Sequence, residues 1–211
     1  MATSNRHHPE TGIPTQRIEA FSDGVIAIAI TVMVFDLKLG GVPTEDNVWD
    51  LLQQVGPKFV CYVLSFIMLG IMWVNHHQLF HQIVHSDRKL LWYSMHLLFW
   101  MSLVPFCTNF VGANPLLPHA SLCYGLVFFG NAMAFTLLRT YAYRAGIVHA
   151  HVSERASRRA RIKNWIAMGT YLIAAFASFV SVYVSFSLFL LVPTMYFVPE
   201  RVLEDSQHHS K

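Results

Sequence analysis

The chain has 211 residues, of which 54% are hydrophobic and only 13% charged, and its mean hydropathy is +0.41. A soluble domain carries about 25% charged residues, so the supply of Asp, Glu, Lys and Arg is too small to cover a water-facing surface. The wealth of Phe, Leu, Val and Ile excludes disorder. A net charge of +3, with the arginines gathered in one loop, argues against a nucleic-acid module. Three cysteines (Cys61, Cys107, Cys123), all in apolar runs and with no secretory signal before them, argue against a disulfide framework. The remaining class is an all-α integral membrane protein.

A bilayer core of about 30 Å needs about 20 mostly apolar residues per helix. The first such run is 18–37, interrupted by Glu19, Ser22 and Asp23 near its start and Asp36 near its end. The second covers about 56–75, and the third about 90–110, with Pro105 set to kink or end its last turn. The fourth covers about 120–141. Apolar character returns over 165–198, too long for one span of ordinary tilt. Ser178, Ser181, Ser185 and Ser187 offer turn chemistry in its middle, so two short helices with a bend near 180–183 are expected, giving six transmembrane helices.

Lys and Arg in the loops orient such a bundle. With the N-terminus in the cytoplasm, thirteen of the fifteen fall inside and only Lys38 and Lys58 outside, beside Asp36, Glu45, Asp46 and Asp50. A multi-pass protein of the cell membrane with both termini cytoplasmic satisfies this split. The expected organisation is a polar N-terminal tail (1–16), one six-helix transmembrane domain (17–202) and a C-terminal tail (203–211).

The first helix carries most of the information. Ionisable residues inside a span are costly and usually face the bundle interior or water. Asp23 lies about two turns in, and the donors at compatible depth are Trp73, His77 and Ser94, at the inner ends of the second and third spans. The blander reading is a frayed helix start near the headgroups. On another face, Gly24, Ile28, Thr31 and Phe35 are spaced four, three and four, the seam of a helix that packs on copies of itself. Gly24, Ala27 and Ala29 permit close backbone approach. Periodicity alone favours ordinary packing inside one subunit; the alternative is several copies arranged around an axis.

Arg17-x-x-x-Phe21-Ser22-Asp23 followed by Gly-Val-Ile-Ala-Ile-Ala-Ile-Thr resembles the signature first helix of the transmembrane protein 175 family, the endosomal and lysosomal type potassium channels. The closer resemblance is to its prokaryotic branch, with a single six-helix unit per chain. It extends through Trp73-Val-Asn-His-His77-Gln-Leu-Phe80, Arg88, Leu90-Leu91-Trp92 and Leu103-Val-Pro105-Phe106, roughly the first half of the chain. The latter half is similar only in hydropathy pattern. Family members often carry Asn early in the third span, where this chain has Ser94.

The resemblance implies a homotetramer in the lipid bilayer with the first helix of each subunit lining a central pathway for monovalent cations. Ile28 then corresponds to the hydrophobic constriction, Thr31 to the polar ring beyond it and Phe35 to an outer apolar ring. Arg17, Phe21, Ser22 and Asp23, with Trp73, His77 and Ser94, correspond to a structural polar network that holds the pore helix. No cofactor is implied beyond the permeant potassium ion. Asp36 is a candidate acidic ring at the outer mouth, and an ordinary interfacial carboxylate is the alternative.

The Thr-Val-Gly-Tyr-Gly filter, which replaces hydration with backbone carbonyls, is absent. Thr31-Val-Met-Val-Phe35 lacks both glycines and lies mid-helix, where carbonyls are already bonded. Selectivity must come from a narrow apolar ring that strips water from the ion. Potassium holds its shell less tightly than sodium, so that barrier favours potassium and is only moderately selective.

His77, His81 and His85, spaced at four with His76 beside them, would share one helical face and could bind metal or sense pH. A complete metal site lacks further ligands, and interfacial histidines are the plainer reading. Asp23 with this face supports the rival function, a proton- or metal-coupled transporter. His96, deep in the third span, is a weak candidate haem ligand. Arg155, Arg158, Arg159, Arg161 and Lys163 are expected to start a helix capped by Ser153, fixing topology against anionic lipid rather than forming a dedicated regulatory site. No nucleophile, base and orienting residue stand in a recognisable arrangement, so no enzyme is expected.

Overall fold

Pro14 precedes the first helix as its N-cap, with ψ at 126°, and its carbonyl accepts from the Arg17 amide at 2.9 Å. In the computed structural model, which describes residues 14–149 and 154–197, α1 covers Thr15–Val32 and tightens into a 3-10 turn over Met33–Asp36. The helix thus starts three residues ahead of the expected apolar run, 18–37. The expected C-terminal tail lies outside the described residues.

The second helix, α2 (Val48–Phe80), has 33 residues, about 50 Å at 1.5 Å per residue. It overshoots the hydrocarbon core at both ends, because the polar residues flanking its apolar run (Asp50, Gln53, Gln54, His76, His77, Gln78) are compatible with helix. The third expected span is two helices in line, α3 (Arg88–Ser102) and α4 (Val104–Ala113). Pro105 is responsible, but the break falls at Leu103, because a proline disturbs the turn before it and fits the first turn of the next helix. There Asn131 donates to the Trp100 carbonyl at 3.2 Å, adding a partner where the helical ladder is interrupted.

The fifth helix, α5 (Pro118–Arg144), is the core element. The apolar window of this helix is 61% buried, against 28% for those of α1 and α2. It packs most extensively on α6 (Glu154–Ala177) and then on α3. Two glycines allow these approaches. A Cβ on Gly130 would sit 2.4 Å from the Trp100 ring, and one on Gly125 would sit 2.7 Å from Ala175 Cβ. A buried hydroxyl cluster ties α5 to its other neighbours: Thr108 donates to Ser65 at 2.7 Å, and Ser65 and Tyr124 share a bond at 2.9 Å.

The last apolar run is a helical hairpin, α6 and α7 (Val182–Phe197), with the reversal at 178–181. The serines there act as the composition suggests. Ser178 donates to the Pro118 carbonyl at 3.0 Å, and Ser185 reaches back to the Ala174 carbonyl at 2.8 Å. Among the described residues, four helical segments are suited by length and composition to cross a membrane: Thr15–Asp36, Val48–Phe80, Arg88–Ala113 and Pro118–Arg144. The helix α6 carries its arginines inside the helix and α7 has only 16 residues. The expected cap, Ser153, lies outside the described residues.

Apart from Lys38 and Lys58, the basic residues described collect at one end of this bundle. Loop 81–87 and loop 145–149 are zipped together there by a bridge between Ile83 and Val148, with the Val84 amide donating to Ile147 and the His149 amide to Gln82, both at 2.9 Å. Gly146, at φ 66°, makes the left-handed turn that ends α5. Asp87 caps α3 by accepting from the Leu90 amide at 2.8 Å, and it also accepts from the Tyr141 hydroxyl. Partial burial opposes its charge, but Tyr141, the Leu90 amide and neighbouring Lys89 outweigh it and hold the carboxyl below the usual range. This capping is complete at neutral pH and is lost only as pH falls through that lowered value.

Candidate functional site

The two faces of α1 differ sharply. Ile18, Ser22, Ile26, Ala29 and Met33 are buried against α2, α3 and α4. Phe21, Gly24, Ala27, Ile28 and Thr31 lie along the opposite, exposed face. Ile28 is 63% exposed and Phe35 68%. The stripe is therefore not packed within the subunit, against what periodicity alone favoured. Phe35 does not continue the helical spacing. It lies in the 3-10 turn, where three residues make a turn, and Val34 is exposed beside it.

Thr31 is satisfied locally: its hydroxyl donates to the Ala27 carbonyl at 2.9 Å, with Ile28's carbonyl at 3.1 Å. Because its proton points into the helix, the oxygen lone pairs face outward from the exposed stripe. Asp36, at the other end, is held by Asn109 of α4, whose side-chain amide donates at 2.5 Å. Asn109 was not singled out in the sequence, although it and Thr108 are the polar side chains of an otherwise apolar helix.

At the basic end, α1 and α2 run antiparallel and exchange two polar pairs one turn apart. The Trp73 indole donates to Asp23 Oδ1 at 3.0 Å, and His77 Nδ1 meets Glu19 Oε1 at 2.9 Å. The Trp73 and His77 rings are stacked, with centroids 5.9 Å apart. His77 thus pairs with Glu19 rather than with Asp23, because antiparallel helices match an i, i+4 carboxylate pair to a j, j−4 donor pair. The common spacing of four in 19/23 and 73/77 is the signal that could have identified Glu19.

The other expected members are not brought to Asp23. Ser22 donates to its own helix at the Ile18 carbonyl, 2.8 Å away. Arg17 and Phe21 are exposed. Ser94 is buried, and its hydroxyl has no hydrogen-bond partner among the described residues. The same holds for both ring nitrogens of His76, which is fully buried against Phe80 at 4.3 Å between ring centroids.

The expected three-histidine face is corrected by the end of α2. His77 and His81 lie edge to face at 5.5 Å. His85, however, lies beyond the helix, in the loop that turns to pair with 147–149, so the i+4 rule no longer applies to it. Among the described residues no three His, Cys, Asp or Glu side chains converge as metal ligands. His96 accepts from the Trp100 indole at 3.1 Å, within its own helix.

These features define a helical membrane protein with one face of its first helix left without a partner in the subunit. A profile of the family described as "Endosomal/lysosomal potassium channel TMEM175" matches residues 17–105. A potassium channel of Chryseobacterium sp. (strain P1-3) is 35% identical over 190 residues, 90% of this chain and 96% of that one. The Homo sapiens protein named endosomal/lysosomal proton channel TMEM175 is 35% identical over 118 residues, 52% of this chain and 21% of that one. The fold resembles the crystal structure of a lysosomal potassium-selective channel TMEM175 homolog from Chamaesiphon minutus, with TM-score 0.71 and 28% identity over 86% of this chain and 95% of that one. The chain belongs to the TMEM175 family.

Proposed function

We propose that this chain forms a homotetrameric cation channel of the cell membrane that conducts potassium in preference to sodium through a central pathway lined by α1. Each subunit crosses six times, with α6 and α7 as the last pair and both termini on the cytoplasmic side. The reading rests on one observation above others: the face carrying Phe21, Gly24, Ile28 and Thr31 is apolar or small, continuous and uncovered, while the rest of α1 is packed. Four copies meeting on that face make a ring of isoleucines with a ring of threonines one turn beyond. No resident cofactor takes part.

At the Ile28 ring an ion sheds water without compensation, and the smaller hydration cost of potassium lowers its barrier relative to sodium. The outward lone pairs of Thr31 then return part of the lost solvation. A narrow apolar ring also gates by dewetting. Asp36, oriented by Asn109, would concentrate cations at the outer mouth. The Asp23–Trp73 and Glu19–His77 pairs fix α1 to α2 so that the ring keeps its diameter. Purified protein in planar bilayers under opposed potassium and sodium gradients should give single-channel currents that reverse towards the potassium equilibrium potential. A coupled transporter using Glu19 and His77 is the second reading, favoured by the direct contact of these two groups; it would give saturable flux and no unitary currents.

A further inference from the structure

The uncovered face of α1 is the middle of a broader surface. On one flank α2 presents Phe59, Val63, Phe66, Gly70, Trp73 and His77, exposed or half-buried and spaced four and three in alternation. On the other flank α3 and α4, in line, present Trp92, Met95, Phe99, Ser102, Phe106 and Asn109, all exposed and with the same alternation. The Trp73–Asp23 and Asn109–Asp36 bonds tie α2 to one edge of the α1 face and α4 to the other. Spacing of this kind is the seam of one helix lying nearly along another.

Symmetry decides what each flank meets. In a ring closed by rotation the contact is head to tail, so one flank of a subunit touches the opposite flank of the next. With the axis along the membrane normal, rotation leaves depth unchanged, and only residues at equal depth meet. Measured from the basic end, Gly70 lies about 15 Å along α2 from Phe80, and Phe99 about 16.5 Å along α3 from Arg88. Trp73 and Met95 both lie at about 10.5 Å, and Phe66 and Ser102 both at about 21 Å. The two helices run in opposite directions, so these pairs stay in register. Their sizes are complementary: glycine faces phenylalanine, and one turn on phenylalanine faces serine.

Gly70 is a hollow in this wall. A Cβ there would meet nothing within 4 Å, and the residue lines a cavity of about 770 Å³ together with Ile30, Phe66 and Trp73. Phe99 is a matching knob, 56% exposed in its own subunit. We infer that Phe99 of each subunit inserts at Gly70 of the next, between Phe66 and Trp73, and so closes the ring by an α2–α3 contact flanking α1. Met95 of that neighbour then covers Trp73, whose indole holds Asp23 of α1. The anchor of the pore helix is thereby completed by the adjacent subunit, and loss of the contact loosens both together. An acyl chain is the competing occupant of the hollow; a ring of the right size at the right depth on the free flank favours the second copy.

The inference rests on the ring proposed above, and its test separates the two. A chain carrying both Gly70→Cys and Phe99→Cys, mildly oxidised in native membranes, should link head to tail into a ladder of two, three and four chains, since a disulfide needs the two Cα atoms within about 7 Å. Either substitution alone should give no ladder. Dimers from Ile28→Cys with no ladder from the pair overturn the inference and leave the ring standing. A ladder from the pair supports it whatever Ile28→Cys gives, and monomers from both overturn both. Gly70→Leu is the second arm: its side chain has room within the subunit but fills the hollow. Native mass spectrometry should therefore show loss of the oligomer, with the wild-type mass restored by adding Phe99→Ala. Wild-type mass for Gly70→Leu alone, or no recovery with Phe99→Ala, overturns the inference.

Discussion

Ile28→Asn should raise potassium current about tenfold and bring the reversal potential close to zero under opposed potassium and sodium gradients. The argument starts from the uncovered position of Ile28 on α1. If four such side chains form the narrowest ring, a passing ion loses water to an apolar wall, and the wall itself tends to dry. Asparagine is of similar size but offers an amide oxygen and an amide N–H to water and ions. The ring then stays wet and coordinates sodium nearly as well as potassium. Lowering the barrier by about 1.4 kcal/mol gives the tenfold change. Selectivity falls because it depended on dehydration going uncompensated. Macroscopic currents and reversal potentials of the variant in bilayers check both parts.

Asp23→Ala should remove much of the current by a different route, through the anchoring of α1 to α2. Asp23 accepts from the Trp73 indole at 3.0 Å, and Glu19–His77 is the next contact towards the basic end. A hydrogen bond to a charged group contributes about 1.5–3 kcal/mol. Trp73 is partly exposed, so about 1–2 kcal/mol is the expected loss. That moves Tm by about 2–4 °C for each kcal/mol in a chain of this size. Asp23→Asn keeps an acceptor oxygen and should recover most of the stability and current. Trp73→Phe should match Asp23→Ala, and the double variant should be no worse than either alone. Thermal unfolding and current amplitude across this set separate a shared contact from two independent ones.

The sequence made the membrane class and the stripe itself legible, because both are properties of local pattern, but not that the stripe is uncovered, which periodicity alone weighed against. Composition alone excluded a soluble surface. A spacing of four and three placed Gly24, Ile28 and Thr31 on one face, whatever that face touched. The reversal between α6 and α7 was legible from the serines near it. What depended on two helices meeting was harder to read. Glu19 looked like an interruption of an apolar run until its spacing from Asp23 was set against that of Trp73 and His77 on an antiparallel neighbour. His85 was grouped with His77 and His81 by spacing, but spacing carries no meaning past the helix end at Phe80. The break before Pro105 and the 3-10 turn at Phe35 are backbone events that apolar runs do not encode. Ser94 and His76 show the limit from the other side: both are buried as a polar network would require, yet neither finds a hydrogen-bond partner among the described residues.

The central claim is that α1 of each subunit faces a shared axis. Disulfide cross-linking of Ile28→Cys in native membranes tests it most directly, with Ile173→Cys on the exposed face of α6 as the comparison. Each introduced cysteine can form one bond, so a ring of four predicts covalent dimers at high yield for Ile28→Cys under mild oxidation and monomers for Ile173→Cys. Monomers from Ile28→Cys, together with its ready labelling by a lipid-soluble thiol reagent, would contradict the account by turning this face towards the bilayer.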